Sequence, residues 1–180
     1  MKTINNIFFI GPMGSGKTAV GRRLARELGR SFADSDAVIE ERTGVDIPFI
    51  FEKEGEAGFR RRETEVIDEL TNRDGIVLAT GGGAILAEVN RRNLASRGLV
   101  IYLTASVRQQ LERTRRGRDR PLLNVGDRRR VLTDLFAVRD PLYREIADLC
   151  VGTDNRTVGN VAAEILQRVK SPDPEGKKQQ

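Results

Sequence analysis

The residues with the clearest chemical meaning form a glycine-rich segment near the start of the chain, Gly11-Pro-Met-Gly-Ser-Gly-Lys-Thr18. The segment fits G-x-x-x-x-G-K-[ST] at every fixed position. In this motif, backbone N–H groups cradle phosphate oxygens, the lysine reaches the β- and γ-phosphates, and the last hydroxyl can ligate Mg²⁺. Lys17 and Thr18 fill those two places; the alternative is an ordinary glycine-rich turn with a chance Lys-Thr pair. The pattern predicts a nucleotide-binding site.

The sequence on either side of this loop supplies the strand and the helix that the motif requires. The apolar run Ile7–Ile10 predicts a strand before the loop. After it, Val20, Leu24 and Leu28 fall on one face of a helix that is predicted to stop at Gly29. The N-terminus of that helix would direct the positive end of its dipole at the phosphates.

Acidic residues and glycines follow the next two predicted strands. A short strand at 31–33 ends in Asp34-Ser35-Asp36, and the apolar run 76–80 ends in Gly81-Gly82-Gly83. In open α/β sheets with parallel strands, ligands bind at the carboxyl ends of the strands. Both groups of residues are therefore candidates for a site beside the glycine-rich loop.

The third predicted strand lacks the acidic residue that many nucleotide hydrolases carry at its end. An aspartate there often helps to hold Mg²⁺, whereas this chain has Thr80. If Thr18 ligates Mg²⁺, the ion then needs a second oxygen ligand from the protein, and Asp34 is the nearest candidate. The chain also lacks an N-K-x-D segment for guanine recognition, which argues against a GTPase. The small size of the chain, the bare loop and the arginine-rich segment at about 115–127 favour a small-molecule phosphotransferase whose lid excludes water.

Five short apolar strands alternate with helical segments, a pattern typical of an α/β protein built on a parallel sheet. The strands are predicted near 7–10, 31–33, 76–80, 99–103 and 149–151. Beyond the first helix, further helices are predicted near 37–43, 56–72, 87–96, 107–114, 128–142 and 158–169, with Pro48 near another helix start and Pro141 interrupting the helix at 128–142. We expect one domain over residues 1–170, a polar, arginine-rich lid at about 115–127, and a disordered tail at 171–180.

The overall composition excludes several classes of protein. No stretch approaches the roughly 20 apolar residues of a membrane span, and the first residues do not resemble a signal peptide. The chain has no histidine, which excludes a histidine base and imidazole-ligated zinc. Its one cysteine, Cys150, has apolar neighbours and is predicted to be a buried thiol in a strand. We expect a cytoplasmic protein without a membrane partner.

The charge balance gives little support for a nucleic-acid partner. The net charge is +5, but the 31 basic residues are interleaved with 26 acidic ones, and only two tyrosines are available for stacking on bases. Arginine suits planar, bidentate recognition of phosphates and carboxylates. We therefore expect small anionic ligands and no nucleic acid.

With these motifs in place, the chain closely resembles the shikimate kinases from its N-terminus to about Arg168. Six segments carry the resemblance in the same order and spacing: 11–18, 34–36, Gly55-Glu-x-x-Phe59-Arg60, 81–83, Arg120-Pro-Leu-Leu123 and Arg139-x-Pro-Leu-Tyr143. The resemblance implies a three-layer P-loop kinase fold with strand order 2-3-1-4-5, helices on both faces and a mobile lid. It also implies phosphoryl transfer from ATP, with Mg²⁺ as cofactor, to the 3-hydroxyl of shikimate in aromatic amino-acid biosynthesis, by a monomer.

The same resemblance implies a role for each of a set of residues. Catalytic roles fall to Lys17, Asp36 and Arg120, with Asp36 orienting the attacking hydroxyl and Arg120 acting as an arginine finger from the lid. Contacts to ATP are implied for Gly14, Ser15, Gly16, Lys17, Thr18, Ala19, Arg113, Arg120 and Arg156. Contacts to shikimate are implied for Asp36, Arg60, Gly81, Gly82, Gly83 and Arg139, where the two arginines hold the carboxylate. The metal would be held by Thr18, and by Asp34 through water.

Each polar assignment has a plainer alternative. Arg60 could be an exposed member of the Arg60–Arg62 cluster, and Arg139 could form a surface ion pair with Asp140. Asp36 could be the N-cap of the following helix. Glu63 lies one turn after Arg60 and is placed to fix its rotamer.

For Asp34 and the two aromatic residues, purely structural roles also stay open. Asp34 could be a turn residue at the end of its strand. Phe51 and Phe59 resemble an aromatic wall of the acceptor pocket, but core packing is nearly as well supported.

Two rival functions are also compatible with the sequence. One is a related small-molecule kinase that acts on gluconate or a nucleoside monophosphate, against which Asp36 and the three glycines argue. The other is a regulatory or nucleic-acid-binding module that binds ATP without transferring its phosphate; such a module would bind RNA or DNA in a salt-sensitive manner.

Overall fold

The computed structural model describes residues 5–114 and 127–170, and its centre is a parallel sheet of five strands. The strands are β1 (Ile7–Ile10), β2 (Ser31–Asp34), β3 (Ile76–Ala79), β4 (Leu99–Thr104) and β5 (Leu149–Gly152). Their spatial order is β2-β3-β1-β4-β5, and all four pairings are parallel. The predicted 2-3-1-4-5 order is confirmed. All five carboxyl ends therefore meet at one edge of the sheet.

Helices cover both faces of this sheet and give a three-layer architecture. They are α1 (Lys17–Leu28), α2 (Ser35–Thr43), α3 (Ile47–Thr71), α4 (Glu88–Arg97), α5 (Val107–Thr114), α6 (Arg128–Ile146) and α7 (Val158–Lys170), with a 3₁₀ turn at Ala84–Leu86. Within the described ranges, no helix is long and apolar enough to cross a membrane.

Alternate residues of the strands feed two separate hydrophobic cores, because successive side chains in a strand point to opposite faces. In β1, Ile7 and Phe9 pack with α1 and α7, whereas Phe8 and Ile10 pack with the helices of the opposite layer. All four side chains are buried. This burial on both faces explains why β1 has an uninterrupted apolar sequence.

Two helices differ from their predicted bounds by more than two residues. Residues 47–71 form one helical element with a kink at Gly55, whose φ of 69° and ψ of 179° lie outside the helical region. Helix α6 continues past Pro141 to Ile146 instead of being interrupted there. Proline removes one hydrogen bond to the carbonyl four residues earlier, and Ala137 is exposed, so water can satisfy its carbonyl.

The prediction of a core thiol at position 150 is wrong. Cys150 is exposed on β5. This strand lies at the edge of the sheet, and within it only Val151 is fully buried. Apolar neighbours in the sequence did not reveal that the strand has an edge position.

A backbone constraint at Gly11 provides a test of how the loop after β1 is built. Gly11 has a φ of 142°, and a β-carbon there would clash with the carbonyl oxygen of Leu103. We expect Gly11→Ala to lower the free energy of unfolding by about 3 kcal/mol or more, because strain and a backbone clash combine. Urea denaturation would measure this loss.

Gly29 provides the matched control for this substitution. It also has a positive φ, 63°, but open space surrounds its would-be β-carbon. Gly29→Ala should lower the free energy of unfolding by only about 1–2 kcal/mol, because alanine is held in a left-handed conformation without any clash. Equal losses in the two variants would contradict the proposed clash.

Candidate active site

The glycine-rich loop after β1 holds the side chain of Lys17 in its interior. Its Nζ donates hydrogen bonds to the carbonyl oxygens of Gly11 (2.7 Å) and Pro12 (2.8 Å). Only 9% of this residue is exposed. Gly16, in a left-handed conformation with φ 88°, forms the N-cap of α1. The loop therefore positions a buried ammonium group directly beside the N-terminus of a helix, where anions bind.

The remaining residues predicted to bind phosphates occupy the same loop and the first turn of α1. Gly14, Ser15 and Gly16 form the second half of the loop, and Lys17, Thr18 and Ala19 begin the helix. Gly14 and Gly16 both have positive φ angles, which only glycine adopts without strain.

Asp34 links the end of β2 to both the loop and the following helix. Its Oδ2 accepts a hydrogen bond of 2.6 Å from the Thr18 hydroxyl. Its Oδ1 accepts from the backbone N–H groups of Asp36 (3.0 Å) and Ala37 (3.3 Å). Asp34 is thus the N-cap of α2, and the alternative that Asp36 caps this helix is wrong.

The pair of Thr18 and Asp34 fits the chemistry of a magnesium site. Mg²⁺ prefers hard oxygen ligands and usually takes one or two from the protein, leaving water and substrate phosphate to fill the others. Among the described residues there is no group of three or more His, Cys, Asp or Glu side chains that could hold a metal ion. A hydroxyl and a carboxylate at this place match the sparse protein coordination that Mg²⁺ takes in kinases.

The three glycines after β3 lie at the centre of a cluster of charged side chains. A β-carbon on Gly81 would lie 2.7 Å from Oδ1 of Asp36 and 2.8 Å from Oε1 of Glu63. One on Gly83 would overlap the guanidinium group of Arg60. Neither glycine has a positive φ, so the backbone conformation does not require glycine at these positions. Glycine is required there because neighbouring side chains approach the backbone closely.

Gly82 brings the second predicted arginine into the same cluster. A β-carbon there would lie 3.5 Å from Nη1 of Arg139 and 3.4 Å from the backbone nitrogen of Met13 in the phosphate loop. The structure therefore joins the ends of β1, β2 and β3 with α3 and α6 at one place.

Arg60 is held by two carboxylates of its own helix. Its Nη1 donates to Oε2 of Glu63 at 2.7 Å, and its Nη2 donates to Oε1 of Glu56 at 3.1 Å. The Arg60 side chain is 19% exposed, so it is not an exposed member of the Arg60–Arg62 cluster. The predicted contact with Glu63 is present.

Burial and neighbouring charges have opposite effects on the pKa values of Arg60 and Glu63. Burial tends to lower the pKa of Arg60, but the charges and hydrogen bonds of Glu63 and Glu56 outweigh it and raise that pKa. Burial raises the pKa of Glu63 above its ordinary value despite the nearby Arg60 and Arg139. Oε1 of Glu63 is buried and has no hydrogen-bond partner among the described residues.

Arg139 has a different environment, because it is almost completely buried. It is 4% exposed and makes no ion pair within the described part of the chain. Burial lowers the pKa of Arg139 below its ordinary value, although the neighbouring Tyr143 acts in the opposite direction. The alternative of a surface ion pair with Asp140 is wrong. Asp140 instead accepts from Tyr102 and Arg144.

A separate cleft on the other side of the phosphate loop contains both arginines predicted to contact adenine. Arg113 donates to the carbonyl oxygens of Gly14 (2.9 Å) and Thr153 (2.7 Å). Arg156 donates to the carbonyl oxygen of Gly152 at 2.9 Å and pairs with Glu164 at 2.6 Å. The cleft has a volume of about 350 Å³ and is lined by Ser15, Gly16, Val20, Arg113, Thr153, Arg156, Thr157, Val158 and Val161.

The two predicted aromatic residues belong to or pack against the core, and most of the predicted lid lies outside the described residues. Phe51 and Phe59 contact each other with ring centroids 4.9 Å apart; Phe59 is buried in the core, and Phe51 packs partly buried against it. Arg120 and most of the predicted lid lie outside the described residues, as does the predicted tail.

Sequence reasoning gave no role to Tyr143 or Glu56, although both belong to the cluster. Helical spacing could have indicated both, because residues four apart lie on the same face of a helix. Glu56 precedes Arg60 by four residues and Tyr143 follows Arg139 by four. The hydrogen bond from Tyr143 to Gly82 has no such signal.

The fold and this arrangement define a P-loop protein of the small-molecule kinase class, with a phosphate loop, a hydroxyl–carboxylate pair beside it and an adjoining cluster of charged side chains. Comparison with known proteins gives the family. The family model described as shikimate kinase matches residues 13–170. The chain belongs to the shikimate kinase family.

Individual relatives agree with this assignment. The chain is 58% identical over 166 residues to a shikimate kinase of Methylococcus capsulatus, covering 92% of this chain and 93% of that protein. It is similar to the structure of a shikimate kinase from Acinetobacter baumannii in complex with shikimate, with TM-score 0.93, 52% identity and 97% of each chain covered. A gluconokinase from Sinorhizobium meliloti shares the fold alone, with TM-score 0.63 and 19% identity over 94% of each chain.

Proposed function

We propose that the protein transfers the γ-phosphoryl group of ATP to the 3-hydroxyl of shikimate, giving shikimate 3-phosphate and ADP in aromatic amino-acid biosynthesis. The observation that carries this proposal is the cluster of Arg60, Arg139 and Asp36 around three glycines, immediately beside the phosphate loop. Shikimate has a carboxylate at one end and hydroxyls at the other. The cluster has cations at one side and a carboxylate at the other, as such an acceptor requires.

The two arginines would bind the carboxylate of the acceptor through charge-assisted hydrogen bonds. Arg139 carries a charge that no ion pair neutralises within the described residues. Arg60 is already held in place by Glu63 and Glu56, so little conformational entropy is lost when it binds an anion. The Gly81–Gly83 backbone would lie against the ring of shikimate, because glycine has no side chain that would stand between the backbone and the ring.

Asp36 would accept a hydrogen bond from the attacking hydroxyl and orient it towards the γ-phosphate. Because the transition state of phosphoryl transfer is loose, its carboxylate would take the proton late. Lys17 would contact the β- and γ-phosphates, and Arg120 would close onto the transferring group from the lid. Arg113 and Arg156 would flank adenine in the cleft beside the loop.

Thr18 and Asp34 would hold Mg²⁺, with Asp34 acting through water. The ion, when bound, neutralises charge on the phosphate oxygens as it does in other kinases. Before ATP binds, the hydrogen bond between Thr18 and Asp34 keeps these two oxygen ligands together.

The cellular context follows from the same proposal. We expect a cytoplasmic monomer whose partners are shikimate and ATP, without nucleic-acid or membrane partners. Gel filtration with light scattering would test the monomer directly.

The experiment that tests this function is a coupled ADP-release assay with a panel of acceptors. Shikimate should stimulate ADP release from MgATP strongly, whereas gluconate, a nucleoside monophosphate and buffer alone should not. Stimulation by gluconate or the nucleotide would instead support a related kinase. Salt-sensitive RNA or DNA binding without acceptor-dependent release would support a non-transferring module.

Replacing either arginine of the cluster should mainly weaken acceptor binding. We expect Arg139→Ala and Arg60→Ala to raise KM for shikimate about 10- to 100-fold, because each removes a hydrogen bond between charged groups. KM for ATP should change less than about threefold. Arg61→Ala is the matched control, since Arg61 is adjacent but exposed. An effect confined to ATP would contradict the assignment.

A further inference from the structure

We propose that Tyr143 is a positioning residue for the acceptor: its hydroxyl holds both the Arg139 guanidinium and the Gly82 peptide in the arrangement that binds the carboxylate. This inference rests on the proposed function. It concerns a residue that would act through two others and would not itself take part in the transfer.

The contacts of Tyr143 converge from helix α6 on the charged side chains that surround Gly81–Gly83, here called the acceptor cluster. Its hydroxyl donates a hydrogen bond of 2.5 Å to the carbonyl oxygen of Gly82. Burial raises the pKa of Tyr143, whereas the guanidinium group of Arg139, which lies one helical turn earlier, is close enough to this hydroxyl for its charge to act to lower that pKa. Nη1 of Arg139 in turn lies next to Gly82. One phenol oxygen therefore joins a helix to the turn after β3.

Tyr143 is itself firmly held. It is 1% exposed, and its ring packs against that of Tyr102 with centroids 4.8 Å apart. The Tyr102 hydroxyl donates to Asp140 at 2.7 Å. Because the two rings and both hydroxyl groups have fixed partners, the Tyr143 oxygen can act as a rigid anchor.

The hydroxyl group beside Arg139 is electrically neutral, and this affects how much positive charge Arg139 can offer to a ligand. A carboxylate beside Arg139 would position the guanidinium but would also neutralise its charge. A phenol oxygen positions it and leaves the positive charge available to an anion. Nε of Arg139 is also buried without a hydrogen-bond partner among the described residues, which leaves a donor for a ligand. Arg60, which is paired with Glu63 and Glu56, lacks this property.

The contact with Gly82 adds a second effect through the backbone. The peptide unit is planar and trans, so fixing the Gly82 carbonyl also fixes the Gly83 N–H on the opposite side of the peptide. Glycine has no side chain to restrain this peptide, and the turn would otherwise rotate more freely. Tyr143 thus determines the direction of a backbone donor in the acceptor pocket.

The test compares Tyr143→Phe with Tyr102→Phe. Each variant keeps its ring and loses one buried hydroxyl, but only the first loses contacts to Arg139 and Gly82. We expect Tyr143→Phe to raise KM for shikimate about 10- to 100-fold, as for the loss of a hydrogen bond to a charged group. kcat and KM for ATP should stay within about threefold of the wild type. Tyr102→Phe should leave KM for shikimate unchanged. Equal effects in both variants would overturn the proposal.

A double-mutant cycle with Arg139→Ala separates action through Arg139 from a general structural role. If Tyr143 acts through Arg139 as well as through Gly82, Tyr143→Phe should reduce shikimate affinity clearly less in the Arg139→Ala background than in the wild type. A full additional loss in that background would overturn the proposal. Affinities are measured by titration calorimetry, whose fitted stoichiometry counts the folded fraction, so a poorly folding variant still gives a result.

The wild-type protein distinguishes failure of this inference from failure of the proposed function. Shikimate-dependent ADP release by the wild type, combined with an unchanged KM in Tyr143→Phe, would overturn only the role of Tyr143. An absence of shikimate binding and turnover in the wild type would overturn the proposed function, and the inference with it.

Discussion

Asp36→Asn is expected to lower kcat about 10³-fold, because the proposed role of Asp36 is to orient and deprotonate the attacking hydroxyl, and a positioned general base contributes about 10²- to 10⁴-fold. The variant keeps the size and hydrogen-bonding ability of the side chain but removes its negative charge. Asp36 lies beside Gly81 in the acceptor cluster, whereas the contact with Thr18 at the phosphate loop is made by Asp34. Affinity for MgATP should therefore stay within about threefold of the wild type. Single-turnover kinetics and nucleotide titration would measure the two quantities separately.

Asp34→Asn is the matched control for this variant. Asp34 contacts Thr18 and caps α2, so its replacement should raise the Mg²⁺ concentration required for activity. It should also lower stability by about 1 kcal/mol through a weakened cap. If Asp36→Asn instead loses nucleotide binding while Asp34→Asn does not, the roles proposed for the two aspartates are exchanged.

Patterns within short segments predicted the fold well. The alternation of strands and helices along the chain predicted the parallel sheet, and the resemblance to shikimate kinases supplied the strand order. Both predictions succeeded because each depends on short sequence patterns that are clear along most of this chain. The phosphate loop was predicted because its chemistry requires particular residues at fixed spacing. Its conformation is also local, with Gly14 and Gly16 supplying the positive φ angles.

The details of the acceptor cluster were less predictable, because they depend on contacts between distant segments. The hydrogen bond from Tyr143 to Gly82 spans 61 residues, and neither residue type indicates the other. The burial of Arg139 likewise depends on how α6 packs against the turn after β3. Arginine next to aspartate in sequence suggested a surface pair, but adjacent residues on a helix point in different directions.

The same reason explains the error at Cys150 and the helix continuing past Pro141. Both depend on which part of an element faces solvent. An edge strand and a buried strand can share the same short apolar sequence, and a proline is tolerated where the carbonyl that it leaves free is exposed to water. Only the tertiary arrangement decides between these cases.

Lys17→Met is the second substitution with a large expected effect. Methionine retains an apolar stem in the buried position but removes the ammonium that now donates to Gly11 and Pro12. We expect kcat to fall about 10²- to 10³-fold, because a preorganised charge would be missing where negative charge develops during transfer. Nucleotide binding should also weaken, in contrast to Asp36→Asn.

The fold should survive this change, so activity and stability can be separated. Two loop carbonyls lose a donor, and we expect a loss of about 1–3 kcal/mol in the free energy of unfolding. Lys53→Met is the control, because Lys53 is 57% exposed and pairs with the neighbouring Glu52 on the surface. Lys17→Arg should not restore turnover, since a guanidinium group is larger and cannot occupy the same buried space within the loop. Undiminished shikimate-dependent ADP release in Lys17→Met would show that the loop binds ATP without Lys17 stabilising the transfer.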